Sequence, residues 1–298
     1  MRITNNMVTA GILTEVQNLD SQQSSLQAEV SSGLAITQPS DNPAVFGQVV
    51  ELEGQSRQIA QFGQNATTAL NLAQASYSGL QSLTQIYDRA TQLSALGSGA
   101  QGSTANQAYA SELDQLIQQT VQVANGQFGS NYLFAGTAVT AAPFTTTTNG
   151  QGQIGSVSYV GNASQTAIPL SSSTSVSPST TGATNAGFAT MINNMIAVRD
   201  AMNSGDTAAL STAQTNLISS EDVLSSAVAE NGAVQLRIQS DQTQQAASST
   251  EIGSLISTQT DADLPSTITK LSQAQLAYQA ALETASKVMQ ISILDYIH

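Results

Sequence analysis

A Ser-Asp-Asn triplet at residues 40–42 brings together side chains that hydrolases and metal sites use. A hydroxyl nucleophile needs a general base, most often histidine, and the one histidine of the sequence is His298. The sequence contains no cysteine, which excludes disulfides, thiolate metal ligands and a cysteine nucleophile. The triplet therefore lacks the partners that catalysis would require.

Three pairs of neighbouring carboxylates have the residue types that glycoside hydrolysis uses. The pairs are Glu51/Glu53, Glu221/Asp222 and Asp261/Asp263. No tryptophan is present to stack on a sugar ring, and acids of this kind are typical of solvated helix faces and helix N-termini. We therefore predict that the protein is not an enzyme and that it binds neither a cofactor nor a metal.

Residues 150–155, Gly-Gln-Gly-Gln-Ile-Gly, have the spacing of a dinucleotide-binding fingerprint. That fingerprint requires a strand before it and a helix after it. Here a threonine run precedes the glycines and the strand-like residues 156–160 follow them. A glycine-rich turn is the better interpretation.

Charge excludes two classes of partner. The 298 residues carry 20 acids against 7 bases, a net charge of −13, so the chain cannot neutralise nucleic-acid phosphates or an anionic membrane. No apolar run approaches the roughly 18 residues of a membrane span, and the N-terminal sequence does not look like a cleaved signal peptide. We predict no nucleic-acid binding and no membrane insertion.

Apolar residues recur at alternating steps of four and three, a pattern that predicts long helices packed as coiled coils. The pattern covers residues 12–30, 45–87, 206–255 and 264–289, and shorter helices are predicted over 107–124 and 186–202. A helix of about 50 residues would be about 75 Å long, which is typical of a rod.

The middle of the chain has a different composition. Residues 126–184 are rich in Gly, Thr and Ser, with short alternating segments at 132–134 and 156–160 that indicate strands. The predicted fold is mainly α: an elongated rod of long coiled-coil helices built from both chain ends, with a small β-rich insertion.

A single narrow apolar stripe cannot stabilise an isolated helix. We therefore expect the two terminal helices to pair with each other, with neighbouring subunits, or with both. The candidate subunit-interface residues are Ile12, Val16, Leu19, Leu26, Val30, Leu264, Ile268, Leu271, Tyr278, Leu282 and Met289.

Residues 31–45, SSGLAITQPSDNPAV, join the first predicted helix to the second. Gly33 can end the first helix, and Asn42 followed by Pro43 can begin the second. Ser40 and Asp41 remain alternatives to Asn42 as the cap. The predicted connector and cap motif comprises Gly33, Pro39, Ser40, Asp41, Asn42 and Pro43.

Four segments, in order along the chain, resemble the flagellin superfamily. They are MRITNNM, the connector SSGLAITQPSDNPA, GSNYLFAGT followed by Ala-Pro-Phe at 142–144, and KLSQAQLAYQAALETASKVMQISILDYI. The proline-flanked connector, YLFAGT and the LDY ending are most similar to the hook-associated proteins of the hook–filament junction. Asn42 is a departure, because those proteins often have a second aspartate there.

The resemblance implies three domains. Residues 1–33 and 263–298 would form an inner coiled-coil domain, 34–126 and 186–262 a helical rod domain, and 127–185 an outer β-rich domain.

It also implies a secreted structural subunit that joins hook-side proteins to the flagellin filament by helical self-assembly, exported without a cleaved signal peptide. The implied partners are further copies of the chain, hook-associated protein 1, flagellin and an export chaperone. A short filament flagellin and, more remotely, a surface adhesin remain alternatives.

Overall fold

A computed structural model of the protein describes residues 5–99 and 102–296, and most of these are helical. The helices are α1 Asn5–Ser32, α2 Pro43–Ser98, α3 Ser103–Ala124, α4 Gly182–Ser204, α5 Thr207–Ile218, α6 Glu221–Thr260 and α7 Leu264–Tyr296. The predicted mainly α fold with a small β-rich insertion is confirmed.

Local signals set several helix ends. Thr181 begins α4 by accepting a hydrogen bond from the Thr184 amide, and Gly205 ends it with φ +70°. Asp206 then caps α5, because its Oδ1 accepts from the amides of Ala208 and Ala209, each at 3.0 Å.

The helix predicted over residues 206–255 is in fact two helices, α5 and α6. At the break the Ser220 amide donates to the Leu217 carbonyl, three residues earlier, at 2.9 Å, so the α-helical bonding pattern is interrupted there. Leu217 and Leu224, on either side of the break, are both buried. The apolar spacing therefore runs through the break and does not reveal it.

Six short strands lie between α3 and α4, and they form three antiparallel hairpins. The hairpins pair β1 Gln127–Phe128 with β2 Asn131–Tyr132, β3 Phe144–Thr148 with β4 Ile154–Tyr159, and β5 Ile168–Pro169 with β6 Ser175–Val176. The glycine-rich residues 150–153 make the turn between β3 and β4, where the Gly152 amide donates to the Asn149 carbonyl at 3.1 Å, and Gly155 lies in β4. This is the turn that the sequence indicates.

The chain divides into two compact units. We call Met1–Gln58 with Ser249–His298 the terminal unit, and Ile59–Ser248 the central unit. The division into three domains that the resemblance implies stays a prediction.

The large hydrophobic core lies in the central unit. Its fully buried side chains include Leu80, Leu83, Leu113, Ile117, Phe188 and Ile192. Phe134, Phe144 and Val157 of the β-rich segment belong to the same core, and the rings of Phe134 and Phe188 meet edge to face at 5.8 Å. The β3–β4 hairpin and Phe134 thus pack on the helices through a shared core, whereas the β5–β6 hairpin belongs to a second, smaller cluster.

Arg199 of α4 is completely buried at the edge of this core. Its guanidinium forms ion pairs with Asp114 and Asp200, each at 2.7 Å, and donates to the Ile154 carbonyl at 2.9 Å. One side chain therefore ties α3, α4 and strand β4 together, and its charge is compensated as burial requires.

Candidate assembly surface and connector

Helices α1 and α7 pack against each other in the terminal unit. The contact covers the apolar stripe of α1 incompletely. Each residue of the stripe is half-buried: Ile12, Val16, Leu19, Leu26 and Val30. Where α1 ends, Thr267 Oγ1 donates to Glu29 Oε1 at 2.8 Å. The end of α1 therefore meets the beginning of α7.

The side of α7 that is shielded from solvent also follows a heptad. Its residues are Thr267, Leu271, Ala274, Tyr278, Ala281, Ala285 and Val288, of which Thr267 and Ala274 are buried and the others half-buried. Small residues at several of these positions let two helices approach closely. We call this set of residues the α7 seam.

A second apolar face of α7 is exposed. Leu264, Ile268, Leu276 and Leu282 expose 40%, 49%, 68% and 43% of their surface. Ile268 and Leu282 each follow a seam residue by one position, about 100° around the helix. We call Leu264, Ile268 and Leu282 the outer face of α7, and no described element of the terminal unit covers it. Leu276 lies about 80–120° further around the helix.

The predicted interface residues thus divide between two environments. Those of α1, together with Leu271 and Tyr278 of α7, lie at half-buried positions, whereas Leu264, Ile268 and Leu282 are exposed. The side chain of Met289 lies outside the described residues. The predicted stripe on α7 therefore mixes the seam with the outer face.

Sequence reasoning missed other residues of these surfaces. Thr267 and Ala274 of the seam are too small or too polar to stand out as apolar anchors. Near these surfaces, Leu13 and Leu276 expose 59% and 68% of their surface but fall outside the predicted heptads. A scan for apolar residues next to the predicted stripe would have found both leucines.

Open glycines are a further feature of the terminal unit. Gly11, Gly47, Gly54 and Gly253 lie within helices, and a Cβ added at any of them would meet nothing within 4 Å. Glycine inside a helix costs roughly 1 kcal/mol relative to alanine. Packing within the described chain gives no reason for this cost, whereas close approach of another backbone would.

The connector begins and ends with the residues that the sequence singles out. Gly33 follows the last residue of α1 with φ +74°, a conformation that glycine adopts without strain. At the other end the Asn42 side-chain oxygen accepts from the Val45 amide at 3.3 Å, and Pro43 is the first residue of α2. Asn42 therefore occupies the capping position.

Asp41 points back into the connector instead of capping α2. Its Oδ2 accepts from the amides of Thr37 and Gln38 at 2.9 and 3.0 Å, and Pro39 lies in the turn closed by the bond from the Asp41 amide to the Gln38 carbonyl. These amide donors, that of Thr37 first, hold the pKa of Asp41 below its usual range. Ser40 is exposed within this turn.

The connector is also bonded to the joint between α6 and α7. The Ala35 amide donates to the Thr260 carbonyl at 2.7 Å, and the Ala262 amide donates to the Gly33 carbonyl at 2.9 Å. Leu34 and Asp261 form an antiparallel bridge. The α1–α2 connector and the α6–α7 joint therefore hold each other in place through backbone hydrogen bonds. No local sequence signal indicates this contact.

The described residues offer no metal site and no membrane span. They contain no cluster of three or more potential metal-ligating His, Cys, Asp or Glu side chains. Within the same residues, no helix combines the length and apolar character that crossing a bilayer demands.

A family comparison matches part of the chain. Residues 3–139 match the bacterial flagellin N-terminal helical region. This part of the chain, which includes α1, the connector and α2, is therefore similar to that region of the flagellins.

The chain is also similar to flagellar hook-associated protein 3. The chain is 28% identical over 152 residues to that protein of Salmonella typhimurium, and the match covers 50% of this chain and 48% of the relative. The matched part thus spans about half the length of the curated relative.

Solved structures show the same fold. A flagellar hook-associated protein from Vibrio parahaemolyticus covers 74% of this chain and 99% of its own, with a TM-score of 0.65 at 15% identity. FlgL of Bacillus cereus covers 69% of this chain and 98% of its own, with a TM-score of 0.60 at 18% identity.

Proposed function

We propose that this protein is a structural subunit of the bacterial flagellum that joins hook-side proteins to the flagellin filament. It works by assembly rather than by chemistry: its helices bind neighbouring copies, hook-associated protein 1 on one side and flagellin on the other. It reaches this place by export from the cell, with a chaperone as its partner before assembly and no cleaved signal peptide.

The outer face of α7 carries the proposal. Its three large apolar side chains stay exposed on a helix whose seam is already occupied by α1. Large apolar side chains that recur on one side of a helix are typical of a surface that another element covers. Neighbouring terminal helices would bury this face, and the open glycines of α1 and α2 would let those helices come close.

The similarity to hook-associated protein 3 supports the junction in preference to the filament. It covers half of this chain, and the proline-flanked connector is one of the features that favour it. The connector and the α6–α7 joint are bonded to each other, so the terminal helices would meet their neighbours at a defined angle.

Leu282→Asp tests the proposal, because the residue is exposed and lies outside the α7 seam. We expect the variant to fold and to be exported, but not to enter the junction, so that cells lacking the native protein shed flagellin into the medium. Electron microscopy of isolated hooks and immunoblots of the culture medium report the two outcomes.

Gln273→Asp is the matched control. Gln273 is also exposed on α7, and its position lies about 180° around the helix from Leu282. The control adds the same charge and should leave filaments and motility normal. Normal motility of Leu282→Asp, or equal failure of both variants, would contradict the proposal.

A further inference from the structure

An apolar groove lies between α2 and α6 within the central unit. It encloses a volume of about 520 Å³. Tyr77 of α2 and Leu224, Val228 and Ala229 of α6 supply its apolar lining, and Ser225 lies on its exposed edge. The groove is large enough to hold an apolar side chain of another molecule.

The rim of the groove is negatively charged. Asp88 and Glu221 line it, and Asp222 follows directly on α6. Burial, and then the charges of Glu221, Asp88 and Asp222, raise the pKa of Tyr87 at the same place. Among the described residues, no lysine or arginine forms an ion pair with any of these three carboxylates.

The central unit also carries a positive charge, unpaired among the described residues, next to an exposed apolar side chain. Together they match the acidic rim and apolar lining of this groove. Residues 59–248 contain three basic residues, of which Arg89 and Arg199 are paired with carboxylates of the same unit. The third, Arg237, is exposed and has no carboxylate within ion-pair distance among the described residues. Its neighbour Leu236 is the most exposed large apolar residue of the central unit, at 69%.

Gly232 lies between the groove and Leu236 on the same helix. The other glycines inside helices of the central unit have neighbours where a Cβ would be: Gly79 meets Phe134, and Gly187 meets Val223 at 2.7 Å. At Gly232 an added Cβ would meet nothing within 4 Å. Its missing side chain has no use within the described chain but would admit a second helix.

We propose that two copies of the chain pair through this part of α6, with Leu236 of each copy in the groove of the other. Leu236 and Ser225 lie about three turns apart and therefore on the same side of the helix. Two antiparallel copies that place Leu236 over Ser225 make both contacts at once, as a twofold interface requires.

The same antiparallel register also accounts for the open position at Gly232 and the charge of Arg237, which is unpaired among the described residues. Gly232 of one copy then faces Ala229 of the other, so the helices can approach closely where both side chains are small. Arg237 comes alongside Asp222 of the other copy and brings a positive charge to the acidic rim. The two copies run in opposite directions, so this pair is distinct from the parallel contacts of a ring or filament.

Paired cysteines test the contact, because the sequence has no cysteine of its own. Leu236→Cys combined with Ser225→Cys should give a covalent dimer when the full-length protein is oxidised with diamide. Within one chain the two positions are ~16 Å apart along α6, far beyond the roughly 7 Å that a disulfide spans between Cα atoms. Any disulfide between them therefore joins two copies.

Each single-cysteine variant is a control and should remain monomeric on non-reducing gels, because like positions do not face each other in this register. The pair Ser111→Cys with Ser225→Cys, which uses an exposed residue of α3, should also remain monomeric. Absence of the dimer in the first pair, or a ladder of higher oligomers in place of a closed dimer, would overturn the proposal.

A charge exchange tests the register without cysteines. In sedimentation equilibrium, Arg237→Glu should weaken dimerisation about tenfold, and adding Asp222→Arg should restore most of the loss. Leu236→Asp should abolish the dimer while the circular dichroism spectrum stays unchanged. If the dimerisation constant is the same for all three variants as for the native protein, the interface lies elsewhere and the proposal is wrong. Because Leu282→Asp leaves this contact intact, the pairing and the flagellar role can fail separately.

Discussion

In the central unit, apolar side chains from five helices and from the β3–β4 hairpin are buried in one core, and the one buried arginine is paired twice. In the terminal unit, the α1 stripe stays half-buried, and α7 carries a second apolar face that stays exposed. The same small and amide-rich composition therefore builds a closed core in one region and an open one in the other. The difference indicates that the central unit is stabilised by its own packing, whereas the terminal unit needs neighbours.

The substitution expected to change stability most is Arg199→Met in the central unit. The change leaves Asp114 poorly solvated and without its partner, and it removes the donor to the Ile154 carbonyl, so we expect a loss of about 3–5 kcal/mol of unfolding free energy. Arg89→Met is the control, because the Arg89–Glu112 pair is exposed, and it should unfold close to the native protein. Urea unfolding followed by circular dichroism measures both, and equal effects would show that the central unit does not depend on its buried pair.

Two leucine truncations compare the units directly. Leu113→Ala opens a cavity in the closed core and should cost about 2–5 kcal/mol. Leu19→Ala removes a side chain that is only half-buried, and should cost about 1 kcal/mol or less in the unassembled protein. If Leu19→Ala costs as much as Leu113→Ala, the terminal unit is as well packed as the central one and the comparison breaks.

Two glycine replacements, one in each unit, should have opposite effects on stability. Gly187→Ala places a Cβ 2.7 Å from Val223 Cγ1 and should destabilise the protein by about 1–3 kcal/mol. Gly54→Ala meets open space and should stabilise the unassembled protein by roughly 0.5–1 kcal/mol. Thermal unfolding of the two variants checks the prediction, and a destabilised Gly54→Ala would argue against an open surface at α2.

The smallest effect concerns the connector. Because the folded pKa of Asp41 is lowered, its bonds to the Thr37 and Gln38 amides stabilise the fold above the ordinary carboxyl pKa. That stability is lost as the pH falls through the acid range below about 4. The amide resonances of Thr37 and Gln38 should titrate there by NMR, and Asp41→Asn should remove the titration. A titration that persists in Asp41→Asn would assign it to another carboxylate.

Local chemistry accounts for much of what the sequence predicts correctly. The apolar spacing predicts the long helices, and the Gly, Thr and Ser content with alternating segments predicts the β-rich middle. These features depend on neighbours a few residues apart, so one sequence is enough to recognise them. The sequence does not predict the break between α5 and α6 at Ser219 and Ser220, because the apolar spacing continues through it.

The sequence by itself determines the helical fold, its β-rich insertion and the ends of the connector. Only the tertiary structure decides which apolar residues of α7 meet α1 and which stay exposed, because seam and outer face differ by a single position along the helix. It also decides that Asp41 holds the connector, that the two joints bond to each other, and that Arg199 is buried. These outcomes depend on groups far apart in the chain, whose meeting no local spacing specifies.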